Sequence, residues 1–385
     1  MDHVIVVGAG LGGIRSVEAL RSRGYEGRIT LLGQERHRPY DRPPLSKAVL
    51  LGDSDSSFVD TDLAALNVDF RPGVVAKGLR EGIVETTEGE LAFDGLVIAT
   101  GSEPITLPGD GQQHVLRTLD DAHELRARLV SGAHVAIIGA GWIGAEVATA
   151  ARRAGCEVTV IEAASAPLTH ALGAELGART VPWYEGIDLR LDTMVSEVVE
   201  GGVDLVGGGF VQAHVVVVGI GARPALEWLA GADLDLHNGV VTDEHLRASM
   251  PGVVAVGDCA NWWSRRYGTR LRVEHWDTAL NSPDTAAATL LGEDAVYDPV
   301  PYFWSEQFGH MVQYAGYHPA GTKTVRREGT SWSTVWLDDA DRIVAVVAVD
   351  RPRDLVQGRR LIAADAVLDV DRLVDPDVAL RDCVV

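Results

Sequence analysis

Residues 4–13 read Val4-Ile5-Val6-Val7-Gly8-Ala9-Gly10-Leu11-Gly12-Gly13, a short β-branched run that stops on glycines and passes into an amphipathic stretch reaching about residue 23. A second apolar run follows at 28–32. The same order of strand, turn, helix and strand recurs at 135–138, then Gly139-Ala140-Gly141-Trp142-Ile143-Gly144, a helix to about residue 153 and a strand at 157–161. Two βαβ units are predicted. In each, the first glycine permits a tight turn, the second lets backbone approach a pyrophosphate, and the third lets the helix pack on the strand. Gly8, Gly10, Gly13, Gly139, Gly141 and Gly144 are therefore candidate dinucleotide ligands, with a helix N-terminus behind each loop to face phosphate charge. One such loop alone is weak evidence. Here each follows a strand, opens a helix and precedes, by about 20 residues, an acid placed to accept hydrogen bonds from an adenosine ribose. Those acids are Glu35 and Glu162, and Glu162 has the cleaner register because Gly33 and Gln34 intervene before Glu35.

Outward from these units lie three further buried strands. Residues 96–101 end on Thr100 and Gly101, and residues 215–221 end on Gly221 before Ala222-Arg223-Pro224; each reads as a crossover between domains. Residues 253–258 end on Gly257 and Asp258, where a carboxylate and a following helix N-terminus suit sugar hydroxyls and phosphate. At 385 residues the chain is too long for one ordinary domain. Its 46% hydrophobic and 23% charged residues describe a folded protein.

The charge sum, 34 basic against 55 acidic residues, is −21, a field that opposes nucleic-acid phosphates and anionic lipid. No nucleic-acid partner is expected. No apolar run approaches the roughly 20 residues of a membrane helix, so no membrane span is expected. The first strand passes straight into glycines without a basic leader. Cys156, Cys259 and Cys383 are scattered without a CxxC, which excludes a disulfide framework and points to the cytoplasm. Cys156 and Cys259 read as small buried apolar residues. The histidines, among them His3, His37, His114, His123, His134 and His170, lack metal-ligand spacing, so no metal site is assigned. Gly207-Gly208-Gly209 reads as a hairpin turn, and Trp262 and Trp263 as an interdomain or cofactor surface.

The segment Arg38-Pro39-Tyr40-Asp41-Arg42-Pro43-Pro44-Leu45-Ser46-Lys47 resembles a signature of the FAD-dependent NADH:ferredoxin reductases that serve bacterial oxygenases, within the glutathione-reductase-like flavoproteins. Arg117-Thr118-Leu119-Asp120-Asp121-Ala122, Tyr302-Phe303-Trp304-Ser305-Glu306-Gln307 and residues 345–362 carry the resemblance to the end of the chain. It implies an α/β fold of two Rossmann-like domains, one for FAD and one for NAD, plus a C-terminal α+β domain. The implied FAD domain is discontinuous, about 1–105 and 225–299; the NAD domain is 106–224 and an acceptor-facing domain spans 300–385. FAD and NADH/NAD+ are the implied cofactors, and the implied partner is a [2Fe–2S] ferredoxin that supplies a haem monooxygenase or Rieske-type oxygenase. The resemblance places Arg42 and Lys47 by the flavin, Arg117 on FAD, Asp258 at its ribityl-phosphate part, and Trp304 beside the isoalloxazine with Trp276 next to it. It also pairs Lys47 with Glu146, in the first turn of the second glycine-loop helix, where nicotinamide would dock.

Relatives that reduce disulfides carry paired cysteines in the helix meeting the flavin, and residues 42–51 have none. Disulfide reduction is excluded. A rubredoxin reductase, an NADH oxidase, a quinone or dye reductase, or a redox-responsive binding partner would use the same scaffold. A monomer or a homodimer is expected. Lys323 with Arg326 or Arg327 is the expected ferredoxin-docking patch, with Arg265, Arg266 and Arg270 as the alternative, and strand alternation lets only one of Arg326 and Arg327 face outward.

Overall fold

The computed structural model describes residues 1–385. Strands β1 (His3–Val7), β2 (Arg28–Gly33), β3 (Val68–Pro72) and β4 (Gly95–Ile98) form a parallel sheet, with helix α1 (Leu11–Ser22) crossing from β1 to β2. The β-branched run at 4–7 is almost wholly buried on both faces, as a parallel strand covered on both sides must be. After helix α2 (Leu119–Arg128) a second parallel sheet is laid down by β5 (His134–Ile138), β6 (Glu157–Ile161), β7 (Asp188–Arg190) and β8 (Val215–Val218), in the order β7-β6-β5-β8. Helix α3 (Trp142–Arg153) crosses between β5 and β6. The chain then returns to the first sheet with β9 (Val253–Ala255), completing the order β9-β4-β1-β2-β3. The outgoing and returning connectors, Ser102–Pro104 and Ala222–Pro224, pair antiparallel, and Thr100 donates to the carbonyl of Ala225 at 2.9 Å.

Helix α4 (Trp276–Leu290) packs along α1 and over the first sheet. Past it lies an antiparallel sheet of β10 (Tyr302–Gln307), β11 (His310–Gly316), β12 (Lys323–Arg327), β13 (Trp332–Leu337) and β14 (Ile343–Val349), ordered β10-β11-β14-β13-β12 and covered by helix α5 (Pro352–Ala363). An apolar seam joins this sheet to the second one: Leu168, Leu172 and Leu176 share a core with Trp332 and Trp336, and His310 stacks on Trp183 at 4.4 Å. No helix is long and apolar enough to cross a membrane.

Three expectations change, and a fourth, that only one of Arg326 and Arg327 faces outward, is resolved. Residues 257–259 form a single 3₁₀ turn running into a strand at Ala260–Ser264, not the start of a helix; the Gly257 N–H donates instead to Ser282 on α4. Alternation along that same strand puts Trp262 in the core and Trp263 outside, so neither lines an interdomain or cofactor surface. Cys259 is buried as expected, whereas Cys156, beyond the end of α3, is only partly so. Arg327 faces inward, fully buried: it pairs with Asp354 at 3.2 Å and donates to the carbonyls of Leu373, Pro376 and Val378, fastening the C-terminal tail.

Candidate functional site

Both glycine loops open on one cavity of about 1440 Å³ whose walls come from all three sheets. Within each loop the glycines divide by what a side chain would meet. A Cβ on Gly13 would lie 1.8 Å from the carbonyl oxygen of Gly8, and one on Gly144 1.9 Å from that of Gly139. These two weld helix to strand. At Gly10 a Cβ would meet nothing within 4 Å, and at Gly141 only the Gly219 carbonyl at 3.9 Å. The space in front of these two is open, on the helix N-cap, where backbone N–H groups can face a pyrophosphate. The cradles fit the phosphates of two dinucleotides.

The two acids are held differently. Glu35 accepts from the Tyr40 hydroxyl at 2.5 Å and pairs with Arg42 at 2.9 Å; Arg42 also donates to the carbonyl of Arg117. Burial holds the Tyr40 hydroxyl well above its usual range, so it stays a donor. Glu162 is buried and accepts from the backbone N–H of Ala140, inside the glycine loop, at 2.6 Å and from that of Ala164 at 2.8 Å. No cation pairs with it.

Opposite the first loop, Asp258 pairs with Arg117 at 2.8 Å and accepts from Ser102 at 3.1 Å. Thr100, Gly101 and Gly221 line the cavity beside them. Gly101 and Gly221 have φ of +69° and +117°, and a side chain on Gly101 would meet the Arg117 guanidinium at 3.2 Å. Trp276 donates its indole N–H to Asp41 at 2.8 Å and meets Trp304 edge-on at 5.8 Å. From Trp304 the aromatic contacts run to Tyr302, stacked at 6.0 Å, and on to Arg359 of α5, 5.0 Å from the Tyr302 ring.

Between the loops, the Lys47 ammonium stands 2.9 Å from the carboxylate of Glu146, which is 5% exposed. Glu146 lies in the second turn of α3, not the first, because the helix begins at Trp142 directly after its Gly141 cap. The cavity is thus lined by the site candidates named from the sequence, except Gly13 and Gly144, which pack helix on strand behind it, and the docking patch lies elsewhere. There, Lys323 pairs with Asp341, Arg326 with Glu175, and Arg327 is interior. Of the alternative set, Arg265 pairs with Glu244 and Arg266 with Asp365, while Arg270 donates to the carbonyls of Thr242 and Asn261.

Among the residues that sequence reasoning did not assign to the site, Ser46, Trp142, His275 and Phe303 line the cavity, and Ser305 is buried behind it against Glu146. Trp142 and Phe303 meet at 4.4 Å, and His275 lies 5.2 Å from Phe303. Burial pushes the His275 imidazole down to about 4 against a smaller opposing pull from Asp258, so it is neutral at pH 7, with Nδ1 enclosed and without a partner. Period-two alternation from Trp304 would have flagged Phe303 and Ser305 as a facing pair.

Residues 2–282 match the family described as pyridine nucleotide-disulphide oxidoreductase, and residues 302–384 match the reductase C-terminal family. The chain is 38% identical, over 402 aligned positions covering 99% of it and 98% of the relative, to the ferredoxin--NAD(+) reductase component of the anthranilate 1,2-dioxygenase system of Burkholderia cepacia. Among solved structures it is similar to Fdr9, with 52% identity, a TM-score of 0.96 and 99% of each chain covered. It is also similar to the covalent putidaredoxin reductase–putidaredoxin complex, with 31% identity, a TM-score of 0.93 and 99% and 98% covered.

Proposed function

The chain belongs to the pyridine nucleotide-disulphide oxidoreductase family, and from that membership we propose that it is a flavoprotein ferredoxin reductase, carrying electrons from NADH through FAD to a [2Fe–2S] ferredoxin of an oxygenase system. The observation that carries this reading is the shared cavity: two dinucleotide cradles face each other across the Lys47–Glu146 pair, and no thiol stands beside it. FAD supplies the chemistry when bound, accepting two electrons from a nicotinamide and releasing them singly.

In this reading residues 1–105 and 225–299 hold FAD, residues 106–224 hold NADH, and residues 300–385 face the acceptor; the paired connectors at Ser102–Pro104 and Ala222–Pro224 support that division. Gly8 and Gly10 cradle the FAD pyrophosphate with Gly13 packing the helix behind them, Glu35 faces its adenosine side together with Arg42, which the ion pair with Glu35 draws there rather than to the flavin, and Asp258 with Arg117 holds its middle. Gly139, Gly141 and Gly144 do the same for NADH, with Glu162 on its ribose. Lys47 and Glu146 orient and polarise the place where the two rings meet. No side chain needs to act as a nucleophile. In this reading the protein works in the cytoplasm, a location the three unpaired cysteines support.

The acceptor's approach follows the aromatic contacts outward from Trp304 to α5. That helix exposes Arg353, Val356 and Arg360, and neither arginine has an ion-pair partner, which sets a local basic and apolar surface against the −21 of the whole chain. A carrier bearing acidic groups would be repelled elsewhere and accepted here.

NADH-driven reduction of cytochrome c, with and without an added [2Fe–2S] ferredoxin, tests the function. Strong dependence on ferredoxin is expected. Equal turnover with small dyes alone would favour a quinone or dye reductase.

A further inference from the structure

Glu146 accepts from three donors at once, drawn from two distant parts of the chain. Its Oε2 takes the Lys47 ammonium at 2.9 Å and the Ser46 hydroxyl, both from the segment beside the first sheet. Its Oε1 takes the hydroxyl of Ser305, from β10 of the antiparallel sheet, at 2.5 Å. Ser305 in turn accepts from the Gln307 side-chain amide at 3.1 Å. Ser46, Glu146, Ser305 and Gln307 are all buried. Each contact to Glu146 is a donor aimed at its carboxylate, with Gln307 steadying Ser305 from behind, so the arrangement uses Glu146 as a fixed acceptor and leaves it one orientation.

That orientation decides where Lys47 points. The lysine side chain has four rotatable bonds, and its remaining contacts, to the Pro43 carbonyl and the Ser46 hydroxyl, are both 3.4 Å long. Only the carboxylate ties it down firmly. Strand β10 therefore serves two sides of the site through its alternation. Tyr302 and Trp304 lead toward α5, while Phe303 and Ser305 face α3 through Trp142 and Glu146.

We propose that Ser305, contributed by the acceptor-facing sheet, is a positioning residue for electron entry from NADH: by fixing Glu146 it fixes the Lys47 ammonium at the junction of the two cradles. The assignment rests on the functional reading above. Its consequence is that the side of the molecule that delivers electrons also completes the side that receives them.

Stopped-flow reduction of the FAD-loaded protein by NADH, in wild type, Ser305→Ala, Ser305→Cys and Ser305→Thr, provides the test. Misplacing an orienting group by a fraction of an ångström to one ångström costs on the order of ten- to a hundredfold in rate. Ser305→Ala should lower the limiting reduction rate by about that factor with the NADH Kd and FAD content unchanged. Ser305→Cys, which keeps the volume and weakens the hydrogen bond, should fall between, and Ser305→Thr should restore the rate.

A second readout does not depend on turnover. Lys47, Lys77 and Lys323 are the lysines of the chain, so reductive 13C-methylation gives each its own NMR signal, with that of Lys47 identified by its loss in Lys47→Arg. In Ser305→Ala the Lys47 signal should move toward that of exposed, unpaired Lys77 while Lys323 stays put, and Ser305→Thr should bring it back. An unmoved Lys47 signal, or wild-type reduction in Ser305→Ala, overturns the proposal. A wild-type protein that NADH does not reduce would overturn the functional reading itself and this inference with it.

Discussion

The two glycine loops share a plan and differ in how the acid after the second strand is held. Glu35 sits in a charged network with Arg42 and Tyr40, tied through Arg42 to the backbone of Arg117. Glu162 is gripped only by backbone N–H groups, one of them in its own glycine loop, with no cation near enough to neutralise it. In the proposed function the first arrangement would close over FAD, which stays. The second would present a carboxylate without a cation to a nicotinamide dinucleotide that comes and goes, accepting a ribose hydroxyl and repelling a 2′-phosphate.

The sharpest way to break this comparison is to block each loop in turn. Gly13→Ala drives a methyl into the Gly8 carbonyl and should yield protein purified without flavin, read from its visible absorbance. Gly144→Ala, a clash of the same size at Gly139, should keep its flavin and raise the NADH Kd by at least about a hundredfold, or about 2.7 kcal/mol. If both variants lose flavin, the loops are not separate sites.

Next in size is Lys47→Ala. Its ammonium orients the junction of the two cradles, and loss of an orienting group costs on the order of ten- to a hundredfold in rate, so a fall of some thirtyfold in the rate of flavin reduction is expected, with flavin retained. The measurement is stopped-flow absorbance at saturating NADH.

A smaller effect separates the two acids. Wild type should prefer NADH to NADPH, and Glu162→Gln should narrow the ratio of kcat/KM values by about tenfold, about 1.4 kcal/mol. Glu35→Gln should leave that ratio unchanged and weaken FAD retention instead. A shift in coenzyme preference at Glu35 would reverse the assignment of the two sites.

The smallest effect is in pH. His275 titrates near 4 when folded and near 6.5 when unfolded. Between those values the unfolded chain binds the extra proton, so stability contributed by neutral His275 is full above about pH 6.5 and is lost as pH falls toward 4, by less than about 1.4 kcal/mol per unit. The Tm of wild type should therefore fall more between pH 7 and 5 than that of His275→Asn, as scanning calorimetry would register.

Local pattern carried the two βαβ units to within a residue or so, because glycine spacing and β-branched runs are themselves the physical cause of turn, helix and buried strand. It also carried Glu162, whose place is fixed by the end of its own strand. What it could not carry are contacts between distant segments. Ser305 meets Glu146 across 159 residues, and nothing local to either announces it. Arg327 shows the same limit: alternation assigns one of Arg326 and Arg327 to the interior, but only the tail folded over that face makes an interior guanidinium tolerable, by offering it three carbonyls and Asp354. The Lys47–Glu146 pair, by contrast, became legible through the resemblance, since their 99-residue separation gives no periodic signal.

The apolar seam between the second sheet and the antiparallel sheet bears on how this protein comes apart. Leu168, Leu172 and Leu176 share their core with Trp332 and Trp336 as well as with Trp142 and Trp183 of their own lobe, and Phe308, at the tip of the hairpin joining β10 to β11, donates its backbone N–H to Thr149 on α3. A cut near residue 300 would strip part of the roof from the neighbouring lobe and take Ser305 away from Glu146 at the same stroke. The molecule should therefore melt as a single unit, with its last eighty-odd residues unfolding together with the lobe they cover rather than apart from it.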